Sequence, residues 1–143
     1  MDLAGYRASF DKLWGYTNVV RLGAEHLSDD GNIVLVSGAP ARRAKPGQAA
    51  IASVGGAVEQ FVRAVTAELA PKRTNVVSPG VIDTPMFGND ADARAKMLGG
   101  ATAKNLVPRA GTPEEVAEGI MFVVKNGFVT GTTIDVDGGW ILS

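Results

Sequence analysis

Histidine and cysteine, the side chains that most often serve as catalytic bases, nucleophiles and transition-metal ligands, are nearly absent from this 143-residue chain, and that narrows the chemistry at once. There is one histidine, His26, and no cysteine, which removes thiolate catalysis, thiolate metal sites and disulfides together. His26 stands late in a helical stretch, where an imidazole complements the helix dipole; alone it makes a poor case for a base or a metal ligand. Asp83, Asp90 and Asp92 lie close in sequence, yet without histidine, cysteine or calcium-loop spacing they form no metal set, so none is expected. ARRAK at 41–45 presents two arginine forks of the kind that suit a phosphate, against the simpler expectation of a solvated loop. Residues 51–56, IASVGG, place adjacent glycines near the start of an otherwise good helix, each costing about 1 kcal/mol against alanine in a helix interior.

The elements that must position these groups alternate between helix and strand. A mixed pattern over residues 6–27 reads as a helix, and SDDGN (28–32) as a turn. IVLV (33–36) is a short run of mostly branched apolar residues, the mark of a strand buried on both faces. Apolar positions three or four apart (Ile51, Val54, Val58, Phe61, Val62, Val65, Leu69) predict a helix over 49–70, stopped by Pro71. NVV (75–77) is a second strand closed by Ser-Pro-Gly. Residues 81–108, with Asn-Asp, Gly-Gly and two prolines, read as an irregular flap. In GTPEEVAEGIMFVVKNG (111–127), Thr112 and Glu115 form a capping box, Pro113 suits the first turn and Gly127 marks the end. TGTTIDVDGG (130–139) alternates as a third strand. The succession predicts an α/β chain with parallel strands, folded as a single domain over 1–143.

The charge balance of 14 basic against 15 acidic residues, with no basic run, gives no footprint for nucleic acid. No apolar run reaches membrane-spanning length and the start is not a signal peptide, so no membrane partner and a cytoplasmic location are expected.

The runs ELAPKRTNVVSPGVIDTPM (68–86), VPRAGTPEEVAEGI (107–120) and VTGTTIDVDGG (129–139) strongly resemble the C-terminal half of the short-chain dehydrogenases/reductases. NIVLVSG (32–38) and the first helix extend the resemblance over most of the chain. It implies a truncated Rossmann-type fold, its strands equivalent to the last three of the family's parallel sheet. The first strands and the glycine-rich phosphate turn after them have no counterpart, so no cofactor is expected for this chain alone, whereas the family uses NAD(P). By resemblance, Pro79, Gly80, Val81 and Thr84 fall in the segment that contacts the nicotinamide end; the plainer expectation is that Pro-Gly ends a strand and Thr84 caps a short helix.

The family's chemistry needs a tyrosine acidified by a lysine four residues on, a serine that holds the substrate oxygen, and an asparagine in the preceding helix. The resemblance places these positions on Ile51, Gly55, Gly38 and Lys12 respectively. Hydride transfer by the family mechanism is therefore not expected. Substitute groups are Lys12, Ser37 and Ser53, although the simpler expectation puts Lys12 on a solvated helix face and bonds Ser37 to backbone.

An uncovered first strand and the two long helices at 6–27 and 49–70, which form the dimer interface in the family, predict a homodimer or homotetramer, or assembly with a full-length paralogue. Trp14, Phe61, Trp140 and Ile141 are the expected apolar anchors. Three functions follow: a redox-inactive binding or assembly protein, which is the leading reading; an oxidoreductase completed by a missing N-terminal segment or partner chain; and a cofactor-independent cyclase, isomerase or dehydratase acting on a small molecule in the emptied cleft.

Overall fold

The computed structural model describes residues 2–143. IVLV forms most of β1 (Asn32–Val36), which runs parallel to β2 (Arg73–Pro79), and β2 runs parallel to β3 (Thr133–Val136). The sheet order is β1-β2-β3, with Val36 opposite Val77 and Pro79 opposite Val136. Parallel neighbours need long crossovers, and α3 (Ala49–Leu69) and α5 (Pro113–Lys125) supply them.

Successive residues of a strand face opposite sides of the sheet, which sorts the layers. Val76 packs with Val58 and Val62 of α3, and with Val20 and Leu35, in the main core. The next residue, Val77, lies on the other face beneath Gly119 of α5. Central β2 is accordingly buried from Thr74 through Ser78, as a strand covered on both faces must be. Arg73, at its start, donates to the carbonyls of Val123, Val124, Asn126 and Val129 at 2.8–3.1 Å. Those include carbonyls at the end of α5 that no longer have intrahelical partners.

Helix ends follow local chemistry. Ala70 adopts an extended ψ of 139° before Pro71, so α3 stops at Leu69. At the start of α5 the Thr112 hydroxyl accepts from the Glu115 amide at 3.3 Å, and the Glu115 carboxylate accepts from the Thr112 amide at 2.8 Å.

Two expectations are corrected. Residues 6–27 are not one helix: α1 (Leu3–Ser9) and α2 (Asp11–Gly23) are separated at Phe10 and followed by a 3-10 turn, Ala24–His26. Asp2 caps α1 through the amides of Ala4 and Gly5, Ser9 donates its hydroxyl to the Tyr6 carbonyl, and the Phe10 amide turns back to Arg7. Such local bonds tighten the last turn and compete with helix continuation. Residues 81–108 are not an irregular flap, because they contain a 3-10 turn, Pro85–Phe87, and α4 (Ala91–Thr102). Asp90 caps α4 by accepting from the Ala93 amide at 2.8 Å, and Leu98 and Thr102 are buried. No helix among the described residues is long and apolar enough to cross a membrane.

Candidate functional site

A cavity of about 740 Å³ opens beyond the carboxyl ends of β1 and β2. This is where open α/β sheets bind ligands, and the volume lies in the range of small-molecule sites, roughly 300–1,000 Å³. Ser37 and Gly38 leave β1 into one wall, Pro79 and Gly80 leave β2 into another, α3 contributes Ile51, Val54 and Gly55, and α4 contributes Leu98. The lining is predominantly apolar.

Lys12 enters from α2. Its Nζ donates to the Ser37 carbonyl at 3.2 Å and stands 5.7 Å from the centre of the Tyr16 ring. The side chain keeps contact with solvent, yet partial burial lowers the pKa of its ammonium below that of a free lysine. Lys12 is exposed, as expected of a long charged side chain, and at the same time lines the cavity, because the break at Phe10 starts α2 beside the β1 loop.

Ser37 also departs from expectation. Its hydroxyl donates to Oε1 of buried Glu59 at 2.9 Å rather than to backbone, and the other Glu59 oxygen lies 3.7 Å from Arg42 Nε. Arg42 donates in turn to Asp135 on β3 at 2.9 Å. The basic loop is thus not simply solvated. Arg43 donates to the Trp140 carbonyl at 3.1 Å, the Trp140 indole donates back to the Arg43 carbonyl at 3.2 Å, and Lys45 Nζ stands 3.5 Å over the indole ring. Trp140, anticipated as an interface anchor, is only 5% exposed and lines the cavity, whereas Trp14 is 64% exposed.

The glycine at 55 now has a packing reason. A Cβ there would sit 2.9 Å from the Ala41 Cβ, so the short 3-10 turn Ala39–Ala41 occupies the space a side chain would need. Gly38 has more room, with 3.6 Å to Pro40 Cδ. Lys12, Gly38, Ile51 and Gly55 all line the cavity, as do Ser37, Pro79, Gly80, Val81 and Thr84. Exposed Ser53 lies outside it. Thr84 makes no capping hydrogen bond, contrary to the plainer expectation. His26 is exposed beside Glu25, Asp83 pairs with Arg94 at 2.7 Å, and no metal-binding cluster occurs among the described residues.

Glu59 and the α4 wall were missed by sequence reasoning. The signal for Glu59 was there: it lies one turn after Gly55 and beside Val58, on the helix face that turns inward.

Residues 3–141 match the family described as Enoyl-(Acyl carrier protein) reductase. The chain belongs to the short-chain dehydrogenase/reductase family. It is 39% identical over 111 residues to a short-chain dehydrogenase/reductase of Stachybotrys chlorohalonatus, covering 78% of this chain and 44% of that protein. It is 41% identical over 116 residues to cyclopentanol dehydrogenase of Comamonas sp., covering 77% of this chain and 45% of that one. The chain spans about half the length of the curated relatives it matches. Among solved structures, a small-chain dehydrogenase in complex with NADPH superposes on the whole chain with a TM-score of 0.93 at 32% identity, 66% of that protein being covered. The MalC Reductase/Diels-Alderase from Malbranchea aurantiaca does so with a TM-score of 0.88 at 27% identity and 56% coverage of that protein.

The fit to a nicotinamide dinucleotide is partial. A Cβ at Gly80 would stand 2.8 Å from the Asp137 main chain, so Gly80 brings the Pro79–Val81 turn hard against the β3 turn, and with Thr84 that turn forms part of the cavity wall. A diphosphate needs converging amides at a helix N-terminus. Among the described residues, the starts of α4 and α5 are closed by Asp90 and by the capping box, and the start of α3, though uncapped, follows a loop without the G-x-G-x-x-G turn that a dinucleotide diphosphate sits on.

Proposed function

We propose that this chain is a redox-silent member of its family that holds a small molecule in the cleft and acts as a binding or assembly protein. The observation that carries this reading is the pair at Ile51 and Gly55. Both line the cavity where the family resemblance calls for proton-transferring tyrosine and lysine, and neither side chain ionises. Ala41 fills the space a lysine at position 55 would take. The test is an absorbance assay for oxidation or reduction of nicotinamide dinucleotides, with calorimetric titration of each. No turnover is expected, and low-micromolar affinity for any of them overturns the reading. Ile51→Tyr with Gly55→Lys is expected to leave turnover undetectable, because the diphosphate still finds no cradle.

Self-association belongs to the same reading. The outer edge of β1 has no partner strand among the described residues, and α2 displays Trp14, Val19 and Leu22 to solvent. A homo-oligomer, or a complex with a longer family member, covers both. Light scattering that reports a stable monomer at micromolar concentration counts decisively against it.

A second reading has its own support. The solved relative called a reductase/Diels-Alderase carries two chemistries in its name on the same fold, which favours a cofactor-independent cyclase, isomerase or dehydratase, with Lys12 the only ionisable side chain in the cleft wall among the described residues. A third reading, an NAD(P)-dependent oxidoreductase completed by another segment or chain, rests on the share of its relatives that this chain spans. Restored dinucleotide binding on adding such a partner identifies it.

A further inference from the structure

Resting on the reading of the cavity as a small-molecule site, we propose that it selects an amphipathic organic monoanion, with an apolar body inside and one carboxylate head against Lys12. Among the described residues, Lys12 is the only charged one in the cavity wall, and no carboxylate lines it. An ammonium has three donors, and the structure gives Lys12 Nζ one acceptor, the Ser37 carbonyl. Among the described residues it forms no ion pair. The nearby acid, Glu59, is committed to Ser37 and Arg42.

A cation at the edge of an apolar cavity, with donors to spare and no counter-ion, gains from an anionic ligand a hydrogen bond stronger than one to a neutral acceptor. The apolar lining supplies the rest of the binding energy. A second feature adds to the positive potential. The 21-residue helix α3 begins at the cavity with Gln48 and Ile51 in the wall, and no side chain caps its first turn. A cationic head meets both features with the wrong sign, and a neutral one leaves the deficit in place.

Three ligands with one body and different heads separate these cases: 4-phenylbutyrate, its methyl ester and 4-phenylbutylamine, titrated calorimetrically into the whole chain. The acid is expected to bind about tenfold or more tightly than the ester, and the amine more weakly than either. Lys12→Met is expected to bind acid and ester alike, with the ester within about twofold of its wild-type affinity, whereas Lys12→Arg retains the preference for the acid. Lys12→Gln keeps a donor for Ser37 without the charge and is expected to follow Lys12→Met, which separates charge recognition from support of the Ser37 loop. The proposal is overturned if the acid binds no tighter than the ester, if the preference survives in both uncharged variants, or if none of the three ligands binds. These failures leave the redox-silent reading standing, since that reading falls only on dinucleotide turnover or affinity.

Discussion

Two glycines that line the cleft from different elements, Gly80 and Gly55, both lack room for a Cβ, but what crowds them is different. At Gly80 the obstacle is the main chain of Asp137, 2.8 Å away, in the turn that ends β3. At Gly55 it is the methyl group of Ala41, 2.9 Å away, on a loop held by the Arg42–Asp135 and Arg43–Trp140 contacts. The first contact belongs to the sheet, and any chain with this register needs it. The second belongs to one particular loop conformation, and it exists only because position 55 carries no side chain. The β2–β3–α5 side is thus a scaffold kept by backbone geometry. The α2–loop–α3 side has been repacked around positions where the family resemblance calls for reactive groups.

That contrast is broken most directly at Gly80. Gly80→Ala has no flexible neighbour to displace, and it is expected to cost about 3 kcal/mol in urea unfolding. A neutral result shows that the turns slide apart easily and that the scaffold reading fails. Gly55→Ala sets a helix-propensity gain of about 1 kcal/mol against the clash with Ala41, and a net loss of about 1 kcal/mol is expected. Ala41→Gly clears the obstructing methyl, so the double variant recovers most of that loss. The coupling energy from the double-mutant cycle measures how far the loop and the helix depend on each other. Additive effects at the two sites refute the repacking account. On the scaffold side Thr112→Ala removes the cap of α5, with an expected loss of about 1 kcal/mol and no change in ligand affinity at the cleft.

The same division governs what was legible in the sequence. Strands β1 and β2, helix α3 to within a residue, and the Thr112–Glu115 cap follow from hydrophobic period, Pro71 and capping chemistry, all short-range rules. The split at Phe10 turned on Ser9 bonding to Tyr6, a choice between two local patterns that residue types leave open. Helix α4 is concealed by its sparse apolar content and by Gly99-Gly100, although Asp90, three residues before Ala93, is a cap signal within the stretch that reads as an irregular flap. The position of Lys12 was beyond any local rule. It depends on the angle at which α2 meets the loop after β1, and a long charged side chain is by default placed in water. The resemblance put Lys12, Gly38, Ile51 and Gly55 at one site, but only three-dimensional packing shows that Ala41 fills the gap.

The smallest expected effect compares the two regions through protons. Glu115 accepts from Arg109 at 2.9 Å and from the Thr112 amide at 2.8 Å, and the Arg109 guanidinium, followed by that amide, holds its pKa to about 2. The folded pKa lies below the unfolded one, so this stabilisation is fully present above the ordinary carboxyl value of 4.5 and is lost as pH falls toward about 2. Lys12 is also shifted down, but the meaning is reversed: burial disfavours its charged form, so α5 gains from its charge and the cleft bears a cost for its own. The Lys12 shift lets stability rise with pH in a window ending near the free-lysine value of 10.5, once the ammonium has been discharged. Glu115→Gln should flatten the acid limb of a pH–stability profile measured by urea unfolding and leave the alkaline limb alone, while Lys12→Met should do the converse. A saturating carboxylate ligand should shrink or abolish the alkaline rise of the wild type, because pairing brings the folded-state pKa back toward the free-lysine value at which the rise ends. If the ligand leaves that limb unmoved, Lys12 does not meet the carboxylate, and the difference between the two regions is one of packing alone.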